Sequence, residues 1–144
     1  MNNNNINFKV CRTTESTIVE VACALMTVVA IVLGIVMMRR DSEAGKGIIS
    51  VAFSFGFSML LMLVLAYCPN TFSIPDDANA GMFAATVRFL RILSVCLSLL
   101  MLGIVVSFFL GITDKGLVTV VCSIPVICTF VWYFIAYTKA KRNK

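Results

Sequence analysis

The sequence predicts an all-α, polytopic integral membrane protein whose four transmembrane helices form two antiparallel hairpins. Four runs of about twenty residues fill most of the 144-residue chain, and together they contain a single Asp, Glu, Lys or Arg. A helix needs about 20 apolar residues to cross the roughly 30 Å hydrocarbon core of a bilayer, so each run is long enough to cross once. The runs are Ile18–Met38, Ile48–Tyr67, Ile92–Ile112 and Leu117–Tyr137.

The composition excludes a soluble domain and argues against nucleic-acid binding. Hydrophobic residues make up 60% of the chain and charged residues 13%, whereas about a quarter of the residues in soluble domains are charged. The net charge of +5 comes from residues that flank the runs, where lipid headgroups are the nearest anions. We therefore expect the partners to be the lipid bilayer and another membrane protein or a second copy of this chain, with no nucleic acid.

The connections between the runs predict how the helices are arranged. Arg39–Gly47 and Thr113–Gly116 are short, and short connections place consecutive helices side by side and antiparallel. The connection Cys68–Phe83 is longer and holds two of the three prolines, the second followed by two aspartates. This pattern is typical of a helix start, so the third helix is predicted to begin near Asp77 and to run beyond the membrane boundary as far as Gly111.

The domain organisation follows from the same pattern. Residues 1–15 are polar and Asn-rich at their start, and we expect a disordered tail. Residues 16–138 form a single transmembrane domain, and residues 139–144 form a basic tail. The first run is longer than the 7–15 apolar residues of a signal peptide, which predicts a retained first span.

Lysine and arginine counts near the span ends predict the orientation. The side that holds both termini and the long connection has eight, and the opposite side has four, which favours cytoplasmic termini. The pair Arg39–Arg40 directly after the first span disagrees when the first hairpin is taken alone. The eight are Lys9, Arg12, Arg88, Arg91, Lys139, Lys141, Arg142 and Lys144, and the four are Arg39, Arg40, Lys46 and Lys115.

Glu20 is the one carboxylate within the four runs. A carboxylate inside a span is costly unless it is paired or hydrated, which indicates a proton or cation site. Small multidrug-resistance transporters also have four spans and rely on a glutamate in the first helix. The alternative is structural: Thr17 followed by Glu20 matches a capping box, in which the glutamate bonds back to the backbone N–H of the cap residue.

Topology predicts a partner for Glu20. The first and third helices enter the membrane from the same side, so Glu20 lies at a depth similar to that of Arg88 and Arg91. We predict an ion pair between Glu20 and Arg91, with Arg88 as the second choice. The pair would be either a gate or anion site, or a clamp that holds two helices together.

Small polar residues recur at helical spacing on two helices. Ser50, Ser54 and Ser58 recur every fourth residue on the second helix, beside Gly56, and Ser94 and Ser98 repeat the spacing on the third. Small residues let membrane helices approach closely, and their hydroxyls form hydrogen bonds across the contact. These residues are predicted to form helix-packing faces, with a polar permeation path as the alternative.

Motifs for catalysis are missing from the sequence. The chain has no histidine, and the GxSxG, P-loop and HExxH patterns do not occur. Four of the six cysteines lie inside the runs, where a thiol acts as a small hydrophobic group, and no CxxC occurs. We therefore expect no enzymatic activity, no cofactor and no metal site.

The segment from Gly45 to Phe108 resembles a bacterial membrane domain found in the N-terminal half of SdpI-type immunity proteins. The similar features are a Gly45-Lys46 turn, Pro69, the Phe72–Pro75 stretch and the Arg88/Arg91 pair. The IPxH…G…D loop of that family is missing, because RRDSEAGKG stands in its place, so no functional residue of the loop is carried over. The resemblance implies a four-helix protein of the bacterial inner membrane, linked to toxin immunity or envelope signalling.

Three functional hypotheses follow. The first is a non-enzymatic accessory, immunity-like or regulatory protein of the bacterial cytoplasmic (inner) membrane that acts through helix–helix contacts. The second is a small proton- or cation-coupled transporter that uses Glu20. The third is a membrane-anchored subunit of a larger complex, with residues 78–91 as the docking segment.

Overall fold

The computed structural model describes residues 13–67, 80–112 and 114–142, which form four α-helices. All four are long and apolar enough to cross a membrane, which confirms the predicted fold class. Residues 1–12, most of the predicted polar tail, lie outside the described residues, as does the predicted helix start near Asp77. The helices are α1, Thr14–Met38; α2, Ser42–Tyr67; α3, Ala80–Phe109; and α4, Lys115–Arg142.

The first helix begins one turn earlier than the predicted capping box. Thr13 is the cap residue: its hydroxyl accepts from the backbone N–H of Ser16 at 3.3 Å, and the Ser16 hydroxyl accepts from the backbone N–H of Thr13 at 3.1 Å. This reciprocal pair satisfies two backbone donors at the start of the helix. Thr17 already lies inside α1, so it is not a cap residue. The capping interpretation of Glu20 is therefore wrong, because Glu20 lies in the second turn of α1.

A tight turn joins α1 to α2 and is shorter than the predicted Arg39–Gly47 connection. The Asp41 carboxylate caps α2 by accepting from the backbone N–H groups of Glu43 and Ala44, at 3.0 and 3.3 Å. Gly45 makes the close return possible, because a Cβ at this position would lie 2.4 Å from the Cα of Met38. A side chain is excluded here by the backbone itself.

The second hairpin turns after Phe109. Gly111 adopts a φ of 63°, a left-handed conformation that glycine adopts without steric cost and that commonly ends helices. The helix end therefore falls two residues before the predicted one, and α4 starts at Lys115.

The third helix is the centre of the molecule. It packs against each of the other three helices, whereas α4 packs mainly against α3. In the membrane-spanning part, 39% of the residues of α3 are buried inside the protein, compared with 6% for α4. The described residues thus form a three-helix core with α4 along one side. The main core cluster consists of Ala30, Ile48, Ala52, Met101 and Val105.

Aromatic side chains attach α4 to α3. Phe89 stacks on Tyr133 with ring centroids 4.3 Å apart, and its edge meets Phe130 at 5.2 Å. The Tyr133 hydroxyl lies 3.3 Å from the hydroxyl of Thr86. These contacts use the part of α3 that precedes its apolar run, so this helix continues past the run on the side where α1 begins.

Candidate functional site: a polar cluster and a groove between α1 and α2

A polar cluster forms where α1 begins and α2 ends. It consists of Thr13, Glu20, Tyr67 and Arg91, which come from α2, α3 and the start of α1. The Tyr67 hydroxyl donates to Glu20 Oε1. The guanidinium carbon of Arg91 lies 5.9 Å from the centroid of the Tyr67 ring, a distance at which a cation is attracted to the ring face.

Both residues of the predicted ion pair belong to the polar cluster and contact Tyr67. Arg91 donates from Nη1 to Thr13 Oγ1 at 3.4 Å, and its guanidinium also contacts the ring of Tyr67. Arg88, the second choice, is exposed. Glu20 and Arg91 each contact Tyr67, and the ion pair between them stays a prediction. The Tyr67 hydroxyl binds one charge, and its ring contacts the other.

Tyr67 is the residue that sequence reasoning missed. It closes the second apolar run, and a tyrosine at a span end is ordinarily explained by the membrane interface. The antiparallel hairpin provides the signal, since the end of α2 must return to the level at which α1 begins. A polar residue at the end of the second run therefore lies near a polar residue early in the first.

One edge of the Arg91 guanidinium is shielded from solvent and has no acceptor among the described residues. Both Nε and Nη2 are buried, and neither forms a hydrogen bond within the part of the chain that the structure describes. Leaving a buried donor unsatisfied costs about 1–3 kcal/mol, and more for a charged group. Nε and Nη2 carry the parallel N–H groups that pair with both oxygens of a carboxylate or phosphate. This edge is therefore the part of the polar cluster whose hydrogen-bonding capacity is unused among the described residues.

A groove runs between α1 and α2 and reaches Glu20 and Tyr67 of the polar cluster. Its volume is about 690 Å³, and Glu20 and Tyr67 both line it. The rest of the lining is almost entirely apolar and includes the exposed rings of Phe53 and Phe57. Its floor is narrow, because a Cβ on Gly56 would lie 3.3 Å from the methyl group of Thr27.

The serines of α3 lie inside the protein. Ser94 and Ser98 are each 0% exposed. Their hydroxyls lie 3.8 and 3.7 Å from the thiol of Cys23, so they face α1. Each hydroxyl also donates to a carbonyl in its own helix. These two residues form part of the contact between α1 and α3.

The serines of α2 point away from the protein. Ser50, Ser54 and Ser58 are exposed, although they have the same four-residue spacing as the buried pair on α3. The Ser58 hydroxyl donates to the carbonyl of Ser54 at 3.0 Å. Gly47 lies on the same side of α2, and a Cβ there would meet nothing within 4 Å. This row of four small residues, the outer face of α2, has no partner among the described residues.

The described ranges offer no site for a metal ion. No three His, Cys, Asp or Glu residues within 13–67, 80–112 and 114–142 come together as ligands would. What the polar cluster offers instead is one negative and one positive side chain at the end of an apolar groove.

Comparison with known proteins adds no relative to this description. The resemblance to SdpI-type proteins in Gly45–Phe108 consequently stays a prediction from the sequence. Family models, curated proteins and solved structures were all compared with this chain, and none gave a significant match.

Proposed function

We propose that this protein is a small non-enzymatic protein of the bacterial inner membrane that binds a transmembrane helix of a partner. In this proposal it has an accessory, immunity-like or regulatory role, and both termini lie in the cytoplasm. The observation that carries the proposal is the outer face of α2. Gly47, Ser50, Ser54 and Ser58 lie in a row there and are not used in packing within the described chain.

The proposal depends on how membrane helices associate. Lipid tails are as apolar as most side chains, so helices associate by close packing and by hydrogen bonds between them. Small residues at four-residue spacing let a second helix approach closely. Ser94 and Ser98 already serve this purpose at the contact of α1 with α3, and the outer face of α2 offers the same surface to a helix from outside.

Site-directed photocrosslinking in the native membrane tests this function. A photoreactive residue at position 54 should give a discrete crosslinked band, and one at position 121, on the exposed side of α4, should give at most about a tenth of that yield because lipid surrounds it. Ser54→Leu should abolish a crosslink formed from position 50, whereas Val121→Leu should leave it intact. Equal yields at 54 and 121, or a crosslink that survives Ser54→Leu, would contradict the proposal. The mass of the product tells a second copy from another protein.

Transport is the second candidate function, and the position of Glu20 favours it. Glu20 lines the groove and is not a capping residue. If the protein is a coupled transporter, Glu20→Gln abolishes proton-driven flux while expression is unchanged. If Glu20 is a clamp, the same change lowers stability, and removing Arg91 as well costs little more, since both belong to one cluster.

The third hypothesis, docking through residues 78–91, receives less support. The described part of this segment, from Ala80 onward, uses Val87, Phe89 and Leu90 as buried residues. Phe89 packs on Tyr133 of α4. The apolar side of the segment is therefore occupied within the chain.

A further inference from the structure

We propose that the C-terminal end of α4 binds one anionic phospholipid of the surrounding bilayer. Lys139 and Arg142 would hold the phosphate, and an acyl chain would lie along the apolar side of the same helix. This site lies on a different helix from the outer face of α2, so it stands or falls independently of the helix-binding function.

The end of α4 carries a surplus of positive charge. Lys139, Lys141 and Arg142 lie in the last turn of the helix and are exposed. Within residues 13–67, 80–112 and 114–142, none of the three forms an ion pair or a side-chain hydrogen bond. Basic residues at a helix C-terminus complement the helix dipole, but that end carries only about half a negative charge. Three cations therefore exceed what the helix itself needs.

The neighbouring helix does not neutralise this charge. α4 packs mainly against α3, and the described ranges of these two helices contain no Asp or Glu. The turn between α1 and α2 differs, because Asp41 and Glu43 stand among its basic residues. Lys46 Nζ lies 3.1 Å from Glu43 Oε1 there. An anion is therefore attracted more strongly to the end of α4 than to that turn.

The basic end of α4 is held in place by α3. The helix continues to Arg142, five residues beyond the predicted end of its apolar run. A Cβ on Gly81 of α3 would lie 3.8 Å from the Cβ of Ala140, which is ordinary contact. Ala140 is thus on the side of α4 that faces α3, whereas Lys139 and Arg142 are exposed on another side. The two basic side chains therefore project from a packed helix.

Lys139 and Arg142 are spaced to hold one phosphate. Residues three apart are neighbours on a helix surface, and the guanidinium of an arginine binds two phosphate oxygens at once. A recess of about 800 Å³ lies beside them, and its described lining also includes Ile135, Thr138 and Lys141. Thr138 Oγ1 lies 2.9 Å from each of two carbonyl oxygens one turn earlier, so its hydrogen is used within the helix. The basic side chains are the donors that remain for a ligand.

Apolar side chains continue the same side of α4 into the bilayer. Val131, Phe134 and Ile135 are each more than half exposed. Trp132, also exposed, is of the type that marks the membrane interface, and it lies about 10 Å before Lys139 along the helix axis. A phospholipid has its chains and its headgroup in the same order, so a single molecule contacts both parts of this surface.

The uncompensated charge selects the class of lipid. A headgroup with a phosphate and no amine keeps its negative charge, and all three cations attract it. A zwitterionic headgroup brings its own ammonium group close to Lys139, Lys141 and Arg142, which repel it. Each Lys or Arg near an anionic membrane surface contributes about fivefold to binding. The site should therefore prefer an anionic lipid to a zwitterionic one.

Native mass spectrometry of the purified, delipidated protein tests the site. The protein is titrated separately with phosphatidylglycerol, phosphatidylethanolamine and phosphatidylcholine of the same acyl chains. We expect phosphatidylglycerol to bind at least about fivefold more tightly than either of the others. Lys139→Gln combined with Arg142→Gln should weaken the first phosphatidylglycerol by about 25-fold. Arg39→Gln combined with Lys46→Gln, the same change of charge at the α1–α2 turn, should alter it less than about twofold.

Two further measurements separate charge from folding and a lipid from a soluble ligand. Lys139→Arg combined with Arg142→Lys keeps every charge, so binding should stay within about twofold of the original. Glycerophosphoglycerol, the headgroup without its chains, should bind at least about tenfold more weakly than the lipid, because it does not contact the apolar side of α4. Circular dichroism and a single elution peak establish that each variant is folded.

Several results would overturn the proposal. Equal affinity for the three lipids would show that the end of α4 does not recognise an anionic headgroup. Equal effects of the two double glutamine variants would show that only the total charge of the protein matters. A loss of binding in the charge-preserving variant would mean that charge is not what holds the lipid. Equal binding of glycerophosphoglycerol and phosphatidylglycerol would assign a soluble phosphate ligand instead.

Discussion

Two rows of serines with the same spacing differ in burial: one is buried and the other is exposed. Ser94 and Ser98 on α3 are fully buried against Cys23 of α1, whereas Ser54 and Ser58 on α2 are exposed. The four-residue spacing shows that one side of a helix is small and polar. It does not show what covers that side, because this depends on which helix the chain folds against it. The buried row is used within the protein, and the exposed row is free for a partner.

The largest expected effect comes from placing the same large side chain in each row. Ser98→Leu forces α1 away from α3 at a position with no free space, and we expect a loss of about 3 kcal/mol, the upper end for overpacking. Ser54→Leu should change the free energy of unfolding by less than about 0.5 kcal/mol, as exposed substitutions do. Unfolding by sodium dodecyl sulfate in mixed micelles, at a dilution where the protein is monomeric, measures both.

The comparison fails if the two variants are equally stable under these conditions. A loss in Ser54→Leu that appears only at high protein concentration has a different meaning. It would show that association of copies through the outer face of α2 stabilises the protein by mass action.

The membrane fold was predictable because the four runs carry almost no charge, and only backbone-satisfied helices of such length cross a bilayer. The residues at which the helices begin and end were harder to predict. Thr13 and Ser16 form the capping box that the sequence pattern predicted at Thr17, because both segments have suitable side chains. In the candidate site, the approach of Glu20 and Arg91 follows from topology, since α1 and α3 enter from the same side. The contact of both side chains with Tyr67 depends on the exact length and packing of α2, which the apolar pattern does not contain.

Glycines show the same contrast between a packed position and an open one. A Cβ on Gly103 of α3 would lie 2.5 Å from Cys122 Sγ on α4 but 3.5 Å from Cys122 Cβ, which is ordinary contact. Gly103→Ala should therefore destabilise the protein by about 1–2 kcal/mol, through the sulfur atom alone. Cys122→Ala removes that atom, so the double variant should recover most of the loss. The same unfolding assay, run on all four proteins of the cycle, gives the coupling energy.

Two outcomes of this cycle would contradict the expected clash between position 103 and Cys122. Additive losses in the double variant would mean that the methyl group at position 103 meets something other than Cys122. A neutral Gly103→Ala would mean that the Cys122 thiol turns away from the added methyl group at no net cost, so this contact would not limit how closely α3 and α4 pack.

The smallest expected effect concerns Gly47, at the start of the exposed row. A Cβ there meets nothing within 4 Å, and alanine is favoured over glycine inside an exposed helix by up to about 1 kcal/mol. Gly47→Ala should therefore leave the free energy of unfolding unchanged or raise it slightly, opposite in sign to Gly103→Ala. Gly116 of α4, also open, is the matched control and should respond in the same way.

The difference between the two glycines should appear only when a partner is present. Gly47→Ala should lower the photocrosslinking yield at position 54, because the added methyl group holds the partner helix away, while Gly116→Ala should not. If Gly47→Ala destabilises the monomer, the face is covered within the chain itself, and the contrast between the two rows on which the helix-binding function depends is lost.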